Sequence, residues 1–92
     1  MKLNNRHMFL EIITPDDRLF EGEVESATFP GSDGTFQVLN DHAPLVSSLG
    51  LGELKYRYKE KDHTKEEELE INGGVVEVLN NRVLVLIESL QS

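Results

Sequence analysis

Cysteine is absent from the 92 residues, so neither a disulfide nor a thiolate metal site is available. Basic charge is scarce as well: nine Lys and Arg stand against 17 Asp and Glu, a net charge of −8. That balance excludes a phosphate-backbone binder, which needs a basic stripe, and it disfavours direct docking on an anionic lipid surface. The longest unbroken apolar run is 83–87, far too short to span a bilayer. Residues 1–8 carry two basic residues and no apolar segment behind them, so no secretory signal is expected. No window shows the i, i+3, i+4, i+7 apolar spacing of a helix over three turns. The apolar share is 38%, enough for one thin core whose surface a partner can complete. The expectation is a soluble, acidic, intracellular single domain.

What is present has the period of β-structure. Over 53–60, Leu54, Tyr56 and Tyr58 alternate with Lys55, Arg57 and Lys59, the pattern of a half-buried strand. Residues 83–87 are apolar on both faces, which fits a central strand. The run 75–79 precedes it, and Asn80-Asn81 between them suits a type I′ turn at positive φ. Further strands are expected at 8–14, ending at a Pro15-Asp16-Asp17 turn, and at 24–29, ending at Pro30-Gly31 as the centre of a type II turn. Residues 35–39 resume the extended pattern, and 66–71 pairs with 53–59 across a loop around 62–64. Gly73-Gly74 marks a bend or bulge. Short strands with turn signals every eight to twelve residues give an all-β fold, a sandwich or flattened barrel.

Chemistry is harder to place. Asp41-His42 with Ser47 and Ser48 has the residue types of a hydrolase, but adjacent residues in an extended chain point to opposite sides, so Asp41 cannot orient His42. His7, His42 and His63 fall at separate places with no ligand spacing. The stretch 31–34 lacks the Gly-Lys-Ser/Thr ending of a phosphate cradle. Residues 59–70 hold three Lys and six acidic residues and read as a solvated hairpin tip. No catalytic, metal or nucleotide-binding residues and no cofactor are expected. Two compact loops, 31–34 and 40–45, bracket one short strand; they are either ordinary turns or two parts of a common rim.

Several segments, in order, resemble the epsilon subunit of F-type ATP synthase. They are Leu10-Glu11-Ile12-Ile13-Thr14-Pro15, Leu19-Phe20-Glu21-Gly22-Glu23-Val24, the run from Phe29 through Pro30-Gly31-Ser32-Asp33-Gly34 to Leu39, and His42-Ala43-Pro44-Leu45. Gly50-Leu51-Gly52-Glu53-Leu54, Ile71-Asn72-Gly73-Gly74-Val75-Val76-Glu77-Val78 and Asn81-Arg82-Val83-Leu84-Val85-Leu86 complete the order. The likeness covers about 8–88. It implies a ten-stranded antiparallel β-sandwich over 8–89, with 1–7 as an N-terminal extension and 90–92 as a tail.

The resemblance also implies a role. Such a domain is a non-catalytic rotor subunit at the foot of the central stalk, bound to the gamma subunit and the c-ring, coupling proton-driven rotation to ATP synthesis. Ser32, Asp33 and Gly34 match the turn that approaches the c-ring. His42, Ala43, Pro44 and Leu45 match the loop in the gamma and c-ring contact region. Leu19 joins Leu45 as a gamma-contact candidate, because both read as turn residues with no interior role. The subunit would sit peripherally on the cytoplasmic face of a bacterial inner membrane, without inserting. Asn40-Asp41 departs from the family's usual Pro-Gly, 59–70 is more acidic, and the family's two-helix C-terminal domain has no counterpart, so nucleotide binding is not carried over. The competing class is a free-standing acidic module that binds a protein or ligand through the two loops.

Overall fold

Alternation along the strands determines which residues meet in the middle. In the computed structural model, which describes residues 7–90, β1 (Met8–Ile13) turns Met8, Leu10 and Ile12 inward and leaves Phe9, Glu11 and Ile13 outside. The others are β2 (Arg18–Val24), β3 (Ser26–Gly31), β4 (Gly34–Leu39), β5 (Leu45–Glu60), β6 (His63–Leu79) and β7 (Arg82–Ile87). Residues 1–6 and 91–92, within the two expected terminal segments, lie outside the described residues. All seven strands join one sheet in the order β2-β1-β7-β6-β5-β3-β4.

The fold is all-β, as expected, but the count and direction of strands need correction. There are seven strands instead of ten, because β5 and β6 run through 16 and 17 residues without breaking. Each serves two layers. The first part of β5 and the last part of β6 lie with β7, β1 and β2; their other halves lie with β3 and β4. The bend falls at glycines: Gly52 has φ 157° and Gly73 and Gly74 have φ 93° and 150°. The β5–β6 register runs through this corner unshifted, so the pair bends without a bulge. Nor is every pair antiparallel. β1 runs parallel to β7, Phe9 opposite Arg82 and Ile13 opposite Leu86. A parallel pair needs a long crossover, and here β2 to β6 supply it.

Folding the sheet over itself encloses the core. Leu10, Ile12, Val83 and Val85 from one layer meet Phe29, Val38 and Leu54 from the other, all essentially without solvent contact. Phe20 on β2 closes the open side against Tyr56 and Tyr58, with ring centroids 4.4 and 5.6 Å apart. The expected turns are mostly present. Asn80 and Asn81 take φ 52° and 61°, as a type I′ turn requires. The Thr14 amide donates to the Asp17 carbonyl (2.8 Å) and the Asp17 amide to Thr14 Oγ1 (3.0 Å), closing the 15–16 corner. The β3–β4 turn is displaced: Gly31 pairs with Gly34, so Ser32 and Asp33 are its centre and Pro30 lies inside β3. Pro30 is tolerated there because the β3–β5 register shifts between Thr28 and Gly31.

The β5–β6 hairpin projects into solvent with acidic residues along its free edge, a charge pattern that discourages edge-to-edge pairing. The hydrogen bond that Glu68 shares with Glu53, followed by the charge of Glu53, raises the Glu68 carboxyl above its usual range. A raised carboxyl pKa in the folded state gives stability that is complete below the unfolded value, near 4.5, and lost as pH rises through the folded value. Glu68→Gln should therefore raise the melting temperature slightly at pH 7, and the difference should vanish at pH 4. Thermal melts at the two pH values check this.

Candidate partner-docking site

The outward residues of the first layer form rows across the strands. One row runs Ile13, Leu86, Val75, Ser48 over β1, β7, β6 and β5. The next runs Glu11, Leu84, Glu77, Val46, and the third Phe9, Arg82, Leu79. Val46 is 69% exposed, Leu79 49% and Leu86 44%. The apolar first row borders an open groove of about 610 Å³ that also takes in Thr14, Pro15 and Leu49. Towards β2 the surface becomes ionic: Arg18 Nη2 lies 2.8 Å from Glu11 Oε2, and Nη1 lies 3.7 Å from Glu21. Arg82 stacks its guanidinium 5.1 Å over the Phe9 ring. The arrangement is an apolar stripe rimmed by charge, the ordinary anatomy of a docking surface.

The turn at Ser32, Asp33 and Gly34 adjoins this stripe. The Ser32 amide donates to the Ser48 carbonyl (3.1 Å), and the two hydroxyl oxygens lie 2.8 Å apart. Ser48 is the end member of the apolar row, so the turn is anchored to its margin. Asp33 stands exposed beyond it and makes no ion pair among the described residues. Gly34 has φ 132° with open space where a Cβ would lie.

The 40–45 loop leaves the opposite end of β4, roughly 17 Å away at about 3.4 Å per residue. The two loops therefore do not share one rim. The His42 amide donates to the Leu39 carbonyl (3.2 Å), while His42 Nδ1 lies 2.7 Å from the Ala43 carbonyl. Ala43 and Pro44 are exposed. Leu45 and Leu19 are not turn residues: they belong to β5 and β2, are half-buried, and pack against the core. Both have the interior role that the sequence did not reveal.

Ile13, Val46, Val75 and Leu86 are the outward apolar residues that sequence reasoning missed. Of these only Leu86 lies in the two-faced apolar run 83–87, a pattern that fits burial within the fold equally well. No hydrolase geometry forms: the Asp41 amide and carboxylate are engaged with Asn81, Ser47 Oγ donates to the Ser48 carbonyl, and His42 contacts neither serine. Among the described residues no cluster of His, Asp and Glu is able to hold a metal ion.

A sequence model of the ATP synthase delta/epsilon chain β-sandwich domain matches residues 7–92. The chain belongs to this family. Among its curated relatives, the ATP synthase epsilon chain of Chlorobium limicola is 36% identical over 90 residues, covering 98% of this chain and 99% of that one. The epsilon chain of Leptospira borgpetersenii serovar Hardjo-bovis is 40% identical over 79 residues, covering 86% of this chain but 59% of that one. The chain thus spans nearly all of one delta/epsilon relative and under two thirds of another. Solved structures share the fold. A chain of the Euglena gracilis mitochondrial ATP synthase (OSCP/F1/c-ring) superimposes with TM-score 0.79 at 23% identity, covering 89% of this chain and 51% of that one. A chain of the Tetrahymena thermophila central stalk and c-ring gives 0.75 at 19% identity, covering 92% and 66%.

Proposed function

We propose that this chain is the non-catalytic epsilon-type subunit of a rotary ATP synthase, fixed to the gamma subunit and turning with it on the c-ring. The observation that carries the reading is the outward Ile13–Leu86–Val75 row, on a sheet whose other side already has a complete core. A rotor part must transmit torque without yielding. Two hydrogen-bonded layers around a close-packed interior provide that stiffness. Gamma covers the apolar stripe, and a stable association of this kind buries more than about 1,000 Å² in total. The Ser32–Asp33–Gly34 turn at the margin of the stripe reaches the c-ring, while the 42–45 segment, at the opposite end of β4, makes a separate contact with gamma. Proton-driven rotation is coupled to ATP synthesis through these contacts, while catalysis resides in other subunits.

Among the described residues no helix is long and apolar enough to cross a membrane. In this reading the chain is held peripherally at the cytoplasmic face of a bacterial inner membrane by its partners. Co-expression with gamma tests the reading: the two should purify together at a one-to-one ratio. A chain that elutes alone, with gamma free in the same lysate, overturns it.

The ring contact is the weaker one. Exposed Asp33 facing a c-subunit Lys or Arg contributes only about 0–1 kcal/mol, so it sets register more than affinity. Asp33→Ala should loosen coupling modestly with no change in the fold. Proton pumping per ATP hydrolysed in the assembled complex measures this; unaltered pumping and subunit retention contradict the role.

A further inference from the structure

Asn81 is a polar residue only 9% exposed, yet it lies in a two-residue turn. Its side chain reaches a loop about 40 positions earlier in the sequence. The Asp41 amide donates to Asn81 Oδ1 (2.7 Å), and Asn81 Nδ2 donates to Asn40 Oδ1 (3.0 Å) and Asp41 Oδ1 (3.3 Å). The Asn81 carbonyl also accepts from the Phe9 amide (2.8 Å). One residue thus ties β1, the β6–β7 turn and the 40–41 segment together.

Asp41 has a φ of 64°, a left-handed conformation that Asp and Asn adopt more readily than other side-chain-bearing residues, and the bonds from Asn81 hold it there. The residues that follow it, His42, Ala43 and Pro44, have no strand partners of their own and stand beside Asn80 in an open groove of about 590 Å³. Where the chain leaves Asp41 decides where this loop points.

We propose that Asn81 is a positioning residue: with Asn40 and Asp41 it forms a polar clamp that holds the 42–45 loop in one shape before any partner arrives. The clamp itself stands on the hydrogen bonds; its use in docking rests on the function proposed above. Preorganisation removes the ordering cost that a free loop would impose on binding. The Asn40-Asp41 pair, which departs from the Pro-Gly of the resemblance, is matched here by an amide on another hairpin.

Asn81→Gly separates the clamp from the turn, because glycine takes φ 61° freely and only the amide is lost. In the isolated chain, amide hydrogen exchange at residues 41 and 42, whose amides donate to Asn81 Oδ1 and to the Leu39 carbonyl, should accelerate about tenfold, with β1 and β7 unchanged. Asn81→Asp should do the same by setting a carboxylate against Asp41, and the added Asp41→Asn change should restore protection. Unchanged exchange at 41 and 42, a uniform rise across β1 and β7, or failure of the double variant to restore protection overturns the clamp. The affinity of Asn81→Gly for gamma should fall about three- to tenfold. Faster loop exchange with unaltered affinity leaves the clamp standing and removes the loop from the docking surface.

Discussion

Leu86→Asp should weaken binding to the gamma subunit about 100-fold, close to 2.7 kcal/mol. Leu86 lies in the middle of the outward apolar row, between Ile13 on β1 and Val75 on β6. If gamma seals that row, the variant buries a carboxylate that has only acidic charge around it on this chain, Glu88 in the same groove and Glu11 and Glu77 in the next row. Burying an unpaired charge costs several kcal/mol or forces the interface open. The fold itself should lose little. Leu86 is 44% exposed in the isolated chain, so its replacement should lower stability by about 1 kcal/mol at most, a melting shift under about 8 °C. Titration of gamma against the two forms, with thermal melts of each alone, separates the effects. An unchanged affinity means that gamma sits elsewhere.

Gly74→Ala tests the other half of the account, the stiffness of the body. A Cβ on Gly74 would lie 2.4 Å from the Leu86 carbonyl oxygen and 3.2 Å from the Ile87 Cα, both backbone of the neighbouring strand. Neither moves without parting β6 from β7 at the centre of the sheet, where Gly74 pairs with Ile87. The expected loss exceeds about 3 kcal/mol, or 12 °C or more in melting temperature for a domain of this size. Gly34→Ala is the control. Gly34 has φ 132°, but nothing lies within 4 Å of its would-be Cβ, so that change carries conformational strain alone, about 1–2 kcal/mol. The gap between the two variants isolates the close approach. Equal melting temperatures would show that β6 and β7 yield there.

Much of this architecture is legible in the residues, and the part that is not has a physical reason. Alternation over 53–60 gives the strand, its buried face and, with 66–71, its hairpin partner. Asn80-Asn81 gives a turn with the right sign of φ. But a period of two says which face a residue takes and nothing about which strand lies alongside, so the parallel β1–β7 pair stayed hidden. Pro30-Gly31 looks like a turn centre because both residues favour one. The structure uses Ser32 and Asp33 instead and absorbs Pro30 where the β3–β5 ladder is already irregular.

The docking surface was hidden for a related reason. A strand apolar on both faces looks the same whether its second face is covered by its own chain or left for another. In residues 83–87 the second face is not covered by the chain itself: Val83, Val85 and Ile87 are buried, while Leu86 faces out and Leu84 is half-covered. Leu19 and Leu45 misled in the opposite sense, as apparent turn residues that the strands carry into contact with the core. The Ser32–Gly34 turn and the 42–45 segment are offered as contacts by resemblance alone, and the Asn81 tether has no sequence signal, because its partners are about 40 residues apart.

Because the chain has no cysteine, one introduced thiol reports on one place. The most direct measurement compares alkylation of Val46→Cys, on the first layer's outer face, with Thr35→Cys, on the outside of β4, before and after assembly with gamma. Val46→Cys should react freely in the isolated chain and slow about tenfold or more in the complex, as expected for a site sealed in an interface, while Thr35→Cys should react equally in both. Protection of Thr35→Cys with Val46→Cys left open would contradict it.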